Sequence, residues 1–205
     1  IRKYIPLLCG EIEDNMRNIN LKYVEEKYDE NGILSEYKLK IPENFNFAYD
    51  VVDDIAEHEL ERKAMLWVGR DGQDRTFTFG DMKRYSDKTA NYLRSLGIQK
   101  GDPVMVVLKR HYQFWFCALA LHKLGAVLIP ATFMLTEHDV KYRVDSASVK
   151  AVICTSDGDV GAAVEQAESE CPTLKLKLMV NGARAGWLDF DAGVEAADEQ
   201  FERVP

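Results

Sequence analysis

The sequence has no excess of basic residues. Its 205 residues carry 26 Lys and Arg against 34 Asp and Glu, a formal net charge of −8. Proteins that grip a phosphate backbone usually show a basic footprint. Nucleic acid is therefore not expected as a partner, although a local basic pocket for a nucleotide or coenzyme remains compatible with this charge. Cysteine is sparse, with Cys9, Cys117, Cys154 and Cys171 alone. No C-x-x-C pair occurs, and His58, His111, His122 and His138 do not complete a zinc signature, so no metal site is expected. Cys117 and Cys154 lie in apolar runs, where a buried, reduced thiol is the natural reading, and this points to the cytoplasm. Walker A and G-x-S-x-G sequences are missing. The dinucleotide fingerprint is incomplete: in "TSDGDVGAA", Ser156 replaces the first glycine, and Asp157 and Asp159 would repel a pyrophosphate. A helix start with Asp near its positive end explains that stretch better than a dinucleotide site. The chain also lacks an initiating Met, so a preceding segment is expected. "IRKYIPLLCGEIEDN" fails as a signal peptide because of Pro6 and the acidic run after Gly10.

What is present begins with a long apolar run, Tyr112–Leu135. Its length suits a bilayer, but His122 and Lys123 sit in its middle. A membrane helix needs about 20 apolar residues without buried charge. Gly125 and Pro130 instead divide the run into one helix and one strand, so no membrane span is expected.

The remaining periodicities give an element order. Ile12, Met16, Ile19 and Tyr23 share one face of a helix read over Glu11–Asn31, stopped at Gly32. A second helix is read over Tyr49–Glu61, with Val52, Ile55, Ala56 and Leu60 on one side. "AMLWVGRDGQDRTFTF" reads as a hairpin turning at Asp71-Gly72. Thr78 and Asp81 form a capping box for a helix carrying Met82, Tyr85, Thr89, Leu93 and Leu96 on one face, ended by Gly97. Then come the apolar run Val104–Leu108, a helix over Tyr112–Leu124, the strand "AVLIPA", a helix capped by Thr136, the strand Ala151–Thr155, a helix over Gly158–Glu170 and the strand Leu176–Val180. Continuous apolar strands alternating with helices describe an α/β fold: an open, mostly parallel sheet with helices on both faces, plus an N-terminal helical segment and a β-hairpin.

"KRHYQFWF" mixes basic and aromatic residues, a pattern shared by single-strand nucleic-acid binders and by helices packed on a sheet. The packed helix fits the flanking strands better. Lys109, Arg110 and His111 follow a central strand at its carboxyl end, where ligands bind in open α/β sheets. They also precede a helix N-terminus, whose dipole opposes each cation by about 0.3–1 kcal/mol. The corner is either a ligand site or a solvated turn.

In this order, "RTFTFGDM", "LGIQKGDPVMVVL", "LHKLGAVLIPATFMLTEHDVKYRV" and "AVICT" resemble the N-terminal region of the acyl- and aryl-CoA synthetases of the adenylate-forming superfamily. "PENFNFAYDVVD", "FWF", "ECPTLKLKLMV" and "GWLDF" bring the resemblance closer to its medium-chain branch. It covers Ile41 to the end, which sets two expected regions: residues 1–40 as a helical extension and 41–205 as part of an adenylate-forming N-terminal domain that stops before the phosphate loop. The resemblance implies an AMP-forming ligase that joins a carboxylic acid to coenzyme A, using ATP and Mg2+. The family's phosphate loop, adenine and ribose contacts and catalytic Lys have no counterpart in these residues. No catalytic or metal-binding residue is assigned, and this chain alone is expected to be inactive and to bind none of these cofactors tightly. Lys109, Arg110, Thr132 and Phe133 are the candidates for the coenzyme A side, with Thr132 and Phe133 standing where some relatives carry glycines. A homo-oligomer is left open. The alternative function is a free-standing interaction module without catalysis.

Overall fold

The computed structural model describes residues 22–203. They fall into two compact units that divide after Phe45. In the first, β1 (Val24–Tyr28) and β2 (Leu34–Leu39) form an antiparallel hairpin. This corrects the helix read through Asn31, whose residues before 22, together with Cys9, lie outside the described residues. The reason is local and cross-strand together. The Asp29 carboxylate accepts the backbone N–H groups of Asn31 and Ile33 at 2.9 and 2.8 Å, and Gly32 takes φ +75°. That turn carries Val24–Tyr28 back against Leu34–Leu39, and Lys27 pairs with Glu36 across the strands. Helical spacing sees only neighbours on one segment, so it missed the partner strand.

The second unit opens with a π-helical turn, Ala48–Asp53, continued by α1 (Asp54–His58). The helix is shorter than read, and Leu60 lies beyond it, exposed. The hairpin follows as expected: β3 (Lys63–Val68) pairs with β4 (Asp74–Thr78). Thr78 caps α2 (Phe79–Ser95), its hydroxyl accepting Asp81 N–H at 3.1 Å while the Asp81 carboxylate accepts Thr78 N–H at 3.1 Å.

Then come β5 (Pro103–Val107), α3 (Gln113–Leu124), β6 (Val127–Pro130), α4 (Glu137–Ala147), β7 (Ala151–Thr155), α5 (Val160–Glu168), β8 (Leu176–Val180), β9 (Leu188–Asp189) and α6 (Phe190–Ala196). The five strands form one parallel sheet in the order β6-β5-β7-β8-β9. Because side chains alternate across a strand, the apolar runs fill two cores. Val104, Val106, Ile153 and Leu178 face α2, α3 and α6, whereas Met105, Val107, Val152 and Met179 face α4 and α5. Each fully buried side chain of this kind contributes about 1.5–3 kcal/mol. The strand β9 and helix α6 were not read from the sequence, since two strand residues are too few to show a period.

Gly125 ends α3 at φ +66°. No helix among the described residues is long and apolar enough to cross a membrane. Lys123, in the middle of the apolar run, is fully buried. Its ammonium donates to Asp53 at 2.9 Å and to Asp87 at 2.6 Å, and Lys83 joins the cluster through Asp87 at 2.9 Å. Burial raises the Asp53 carboxyl above its ordinary range, against the pull of Lys123. Burial also opposes charge on Lys83, but its hydrogen bond to Asp87 and the charge of Asp53 outweigh it and raise the ammonium's pKa.

Candidate functional site

The strand order reverses at β5. The chain leaves β5 through α3 toward β6 on one side, and β7 then pairs on the other. In open α/β sheets such a reversal leaves a crevice outside the carboxyl ends of the strands. Here that place holds a cavity of about 500 Å³, lined by Lys109, Arg110 and His111 after β5, by Asp157 and Gly158 after β7, by Asn181 after β8, by Trp67 in β3 and by Arg70 and Asp71 in the β3–β4 turn.

The Trp67 indole N–H donates to the Arg110 carbonyl at 2.6 Å. The His111 ring sits between two strand ends, with Nε2 at 2.7 Å from Thr155 Oγ1 and Nδ1 at 2.8 Å from the Asn181 amide nitrogen. Asp157 Oδ2 approaches Nε2 at 3.3 Å. Asn181 holds φ +57°, a left-handed conformation that Asn tolerates better than most residues. Gln113, almost wholly buried at the start of α3, donates to Asn181 Oδ1 at 3.0 Å and to Asp191 at 2.9 Å.

Of the four residues singled out from the sequence, the structure brings two into contact. The Lys109 ammonium lies 4.3 Å from the centroid of the Phe133 ring. Arg110 lines the cavity. Thr132 stays local, its hydroxyl accepting Met134 N–H at 3.4 Å. Neither Lys109 nor Arg110 has a carboxylate within ion-pair distance among the described residues. The aromatics of "KRHYQFWF" are mostly packing groups: Phe116 stacks on Tyr85 at 4.7 Å, and Tyr112 packs on Phe77 at 5.0 Å. Trp115 is the one aromatic of this stretch that is largely exposed.

Trp67, Gln113, Thr155, Asn181 and Asp191 were missed. The signal for Thr155 was its place as the last residue of an apolar strand, and for Asn181 its place one step past the end of another. Gln113 and Asp191 gave none, because their roles depend on a strand and helix distant in sequence. Cys117, Cys154 and Cys171 are free and buried; burial pushes the Cys117 thiol up and the Cys154 thiol up to about 12, which keeps both inert. Among the described residues no group of three His, Cys, Asp or Glu is placed to hold a metal ion.

Residues 52–204 match the family described as AMP-binding enzyme. The chain is 36% identical over 171 residues to the acyl-coenzyme A synthetase ACSM4, mitochondrial, of Rattus norvegicus, covering 80% of this chain and 29% of that protein. It is 38% identical over 157 residues to ACSM5, mitochondrial, of Homo sapiens, covering 73% and 27%. It thus spans less than a third of the length of these relatives. Among solved structures, the acetoacetyl-CoA synthetase of Streptomyces lividans superposes with a TM-score of 0.68 at 22% identity, covering 78% of this chain and 27% of that one. The anthranilate CoA ligase AuaEII, solved with anthranoyl-AMP, gives 0.67 at 19% identity, covering 80% and 30%. These two likenesses establish the fold. The reversal in the parallel sheet, the profile match over most of the chain and the two relatives agree, and the chain belongs to the AMP-binding enzyme family.

Proposed function

We propose that this chain is the N-terminal portion of an AMP-forming acyl-CoA synthetase and supplies part of the wall on the coenzyme A side. In that reaction a carboxylate oxygen attacks the α-phosphorus of ATP and pyrophosphate leaves. The coenzyme A thiol sulfur then attacks the acyl carbon, and AMP leaves with the bonding pair. Among the described residues no group of three His, Cys, Asp or Glu is placed to hold a metal ion, and no residue here is assigned to ATP or Mg2+. No step of adenylation is derived from these residues. They fit a phosphorylated ligand at the strand-end cavity. The observation that carries this reading is the pair Lys109 and Arg110, two cations lining the cavity with no carboxylate within ion-pair distance among the described residues, one of them steadied on Phe133. Cations in a concave site raise the local concentration of anions and bind phosphate oxygens through charge-assisted hydrogen bonds, here against the opposing charge of Asp71 and Asp157 in the same lining.

Two experiments test this reading. The 205-residue chain is expected to give no ATP–pyrophosphate exchange with short or medium fatty acids, since each missing transition-state donor costs about 10²–10³ in rate. Exchange at the rate of an enzyme of the relatives' length would overturn it. In a polypeptide extended to that length, Lys109→Ala and Arg110→Ala should each raise KM for coenzyme A, and unchanged values at low salt for both would remove the coenzyme A assignment. A cytoplasmic location belongs to the same reading. The relatives are named as mitochondrial proteins, and recovery of this protein in the mitochondrial fraction would replace that location.

A further inference from the structure

The hydrogen bonds behind the cavity have only one self-consistent direction. Asp191 uses both carboxylate oxygens: Oδ1 accepts Gln113 Nε2 at 2.9 Å, and Oδ2 accepts the Asn181 backbone N–H at 2.7 Å. An ionised carboxylate only accepts, so Gln113 must turn its NH2 toward it. The same NH2 group gives its other proton to Asn181 Oδ1 at 3.0 Å. The Asn181 NH2 is thereby left to donate to His111 Nδ1 at 2.8 Å. A neutral imidazole that accepts at Nδ1 carries its proton on Nε2. That N–H donates to Thr155 Oγ1 at 2.7 Å, with Asp157 Oδ2 at 3.3 Å. Thr155 Oγ1 also accepts the Asp157 backbone N–H at 3.0 Å. The relay leaves Gln113 Oε1 buried without a partner. Turning the amide over would set that oxygen against Asp191, so the orphaned acceptor is the smaller cost.

We propose that His111 is a positioning residue. Asp191 orients Gln113, Gln113 orients Asn181, and Asn181 fixes His111 as the Nε2–H tautomer, which ties the turn carrying Lys109 and Arg110 to the ends of β7 and β8. The second tie is the Trp67 bond to the Arg110 carbonyl. Between these two ties the cations are presented to the cavity. The functional consequence, though not the relay, rests on the coenzyme A reading above. A second proton on the ring would have to sit on Nδ1, facing the Asn181 NH2, so protonation breaks the relay. The charged groups around the ring and cavity are Asp157, Asp191, Lys109, Arg110, Arg70 and Asp71. Simple attraction makes a new imidazolium strengthen anion binding. The relay makes it weaken binding, because the turn is released.

The test is ¹⁵N NMR of the His111 ring in the 205-residue chain, with coenzyme A as the probe ligand. At a pH where the ring is neutral, an unprotonated Nδ1 and a protonated Nε2 are expected. A proton on Nδ1, or rapidly averaged tautomers, overturns the proposal, and this measurement needs no variant to fold. Asn181→Asp places an acceptor at Nδ1, so the folded variant should protonate both nitrogens at that pH, and an unchanged ring would count against the relay. Coenzyme A affinity, followed by the amide shifts of Lys109 and Arg110, should fall about tenfold as His111 gains its second proton, the scale of one lost charge-assisted hydrogen bond. A rise in affinity overturns the proposal. The expected tautomer with no response of either amide to coenzyme A supports the relay and removes the coenzyme A reading. A response with averaged tautomers keeps that reading and removes the relay.

Discussion

Lys109 stands just before α3 and Lys123 near its end. Sequence context gives both the same description: a cation beside a long apolar run. Their surroundings are opposite. The Lys123 ammonium is enclosed by Asp53 and Asp87, brought in from the π-helical turn and from α2. Lys109 meets an aromatic face and an open cavity, with no carboxylate in reach among the described residues. Removing a charge from water costs several kcal/mol unless internal partners replace the lost solvation. At one end of the helix those partners are built in and the charge organises the core. At the other, no such partner lies within ion-pair distance among the described residues, and the charge faces the cavity. An apolar neighbourhood therefore says little about what a lysine does until the opposite charges are located.

The comparison breaks most sharply at Lys123. Lys123→Ala leaves two buried carboxylates with Lys83 alone, and is expected to destabilise the protein by about 3–5 kcal/mol in urea unfolding. A loss below about 1 kcal/mol would mean that water enters the cluster and that the two lysines differ less than the structure indicates. Asp53 sharpens the point through pH. Its folded-state pKa is raised, first by burial, so between its unfolded and folded values the native state holds more proton than the unfolded one. Stability from this group is greatest below the ordinary carboxylate pKa and falls as pH rises through the raised value. Asp53→Asn should remove that part of the pH slope, and a slope that survives the substitution would assign it elsewhere.

A middle-sized effect is expected at the head of α2, the helix that supplies Asp87. Thr78→Ala removes half of the capping box and should cost about 1 kcal/mol. Burial works to raise the Asp81 carboxyl, but hydrogen bonds from Thr78 N–H and Arg84 outweigh it and hold it low. The sign is therefore the reverse of that for Asp53: this stability is present above the unfolded pKa and is lost as pH falls through the folded one. Thermal unfolding of Asp81→Asn should show less acid-side loss than the parent chain. The smallest effect on stability belongs to the open end. Lys109→Ala and Arg110→Ala should each change it by no more than about 0.5 kcal/mol, while altering coenzyme A binding. A larger destabilisation would make them structural, as Lys123 is.

Much of this arrangement was legible before any coordinates. The apolar runs Val104–Leu108 and Ala151–Thr155 read as doubly buried strands, Gly125 as a helix stop, and Thr78 and Thr136 as caps, because each depends on residues within a few positions along the chain. The corner Lys109–His111 was placed at a strand's carboxyl end by the order of apolar runs, and there it lines a cavity. The hairpin Val24–Leu39 was misread, because its strand character comes from pairing across a turn. What sequence alone determined is the local grammar: strand, helix, cap and stop, together with the short motifs that mark the family. What only tertiary structure decided is which charges meet. Lys123 finds partners 70 and 36 residues away, and His111 is oriented by Asn181 and, through Gln113, by Asp191. Coulomb attraction and hydrogen bonds act through distance in space, and folding, not spacing along the chain, sets that distance.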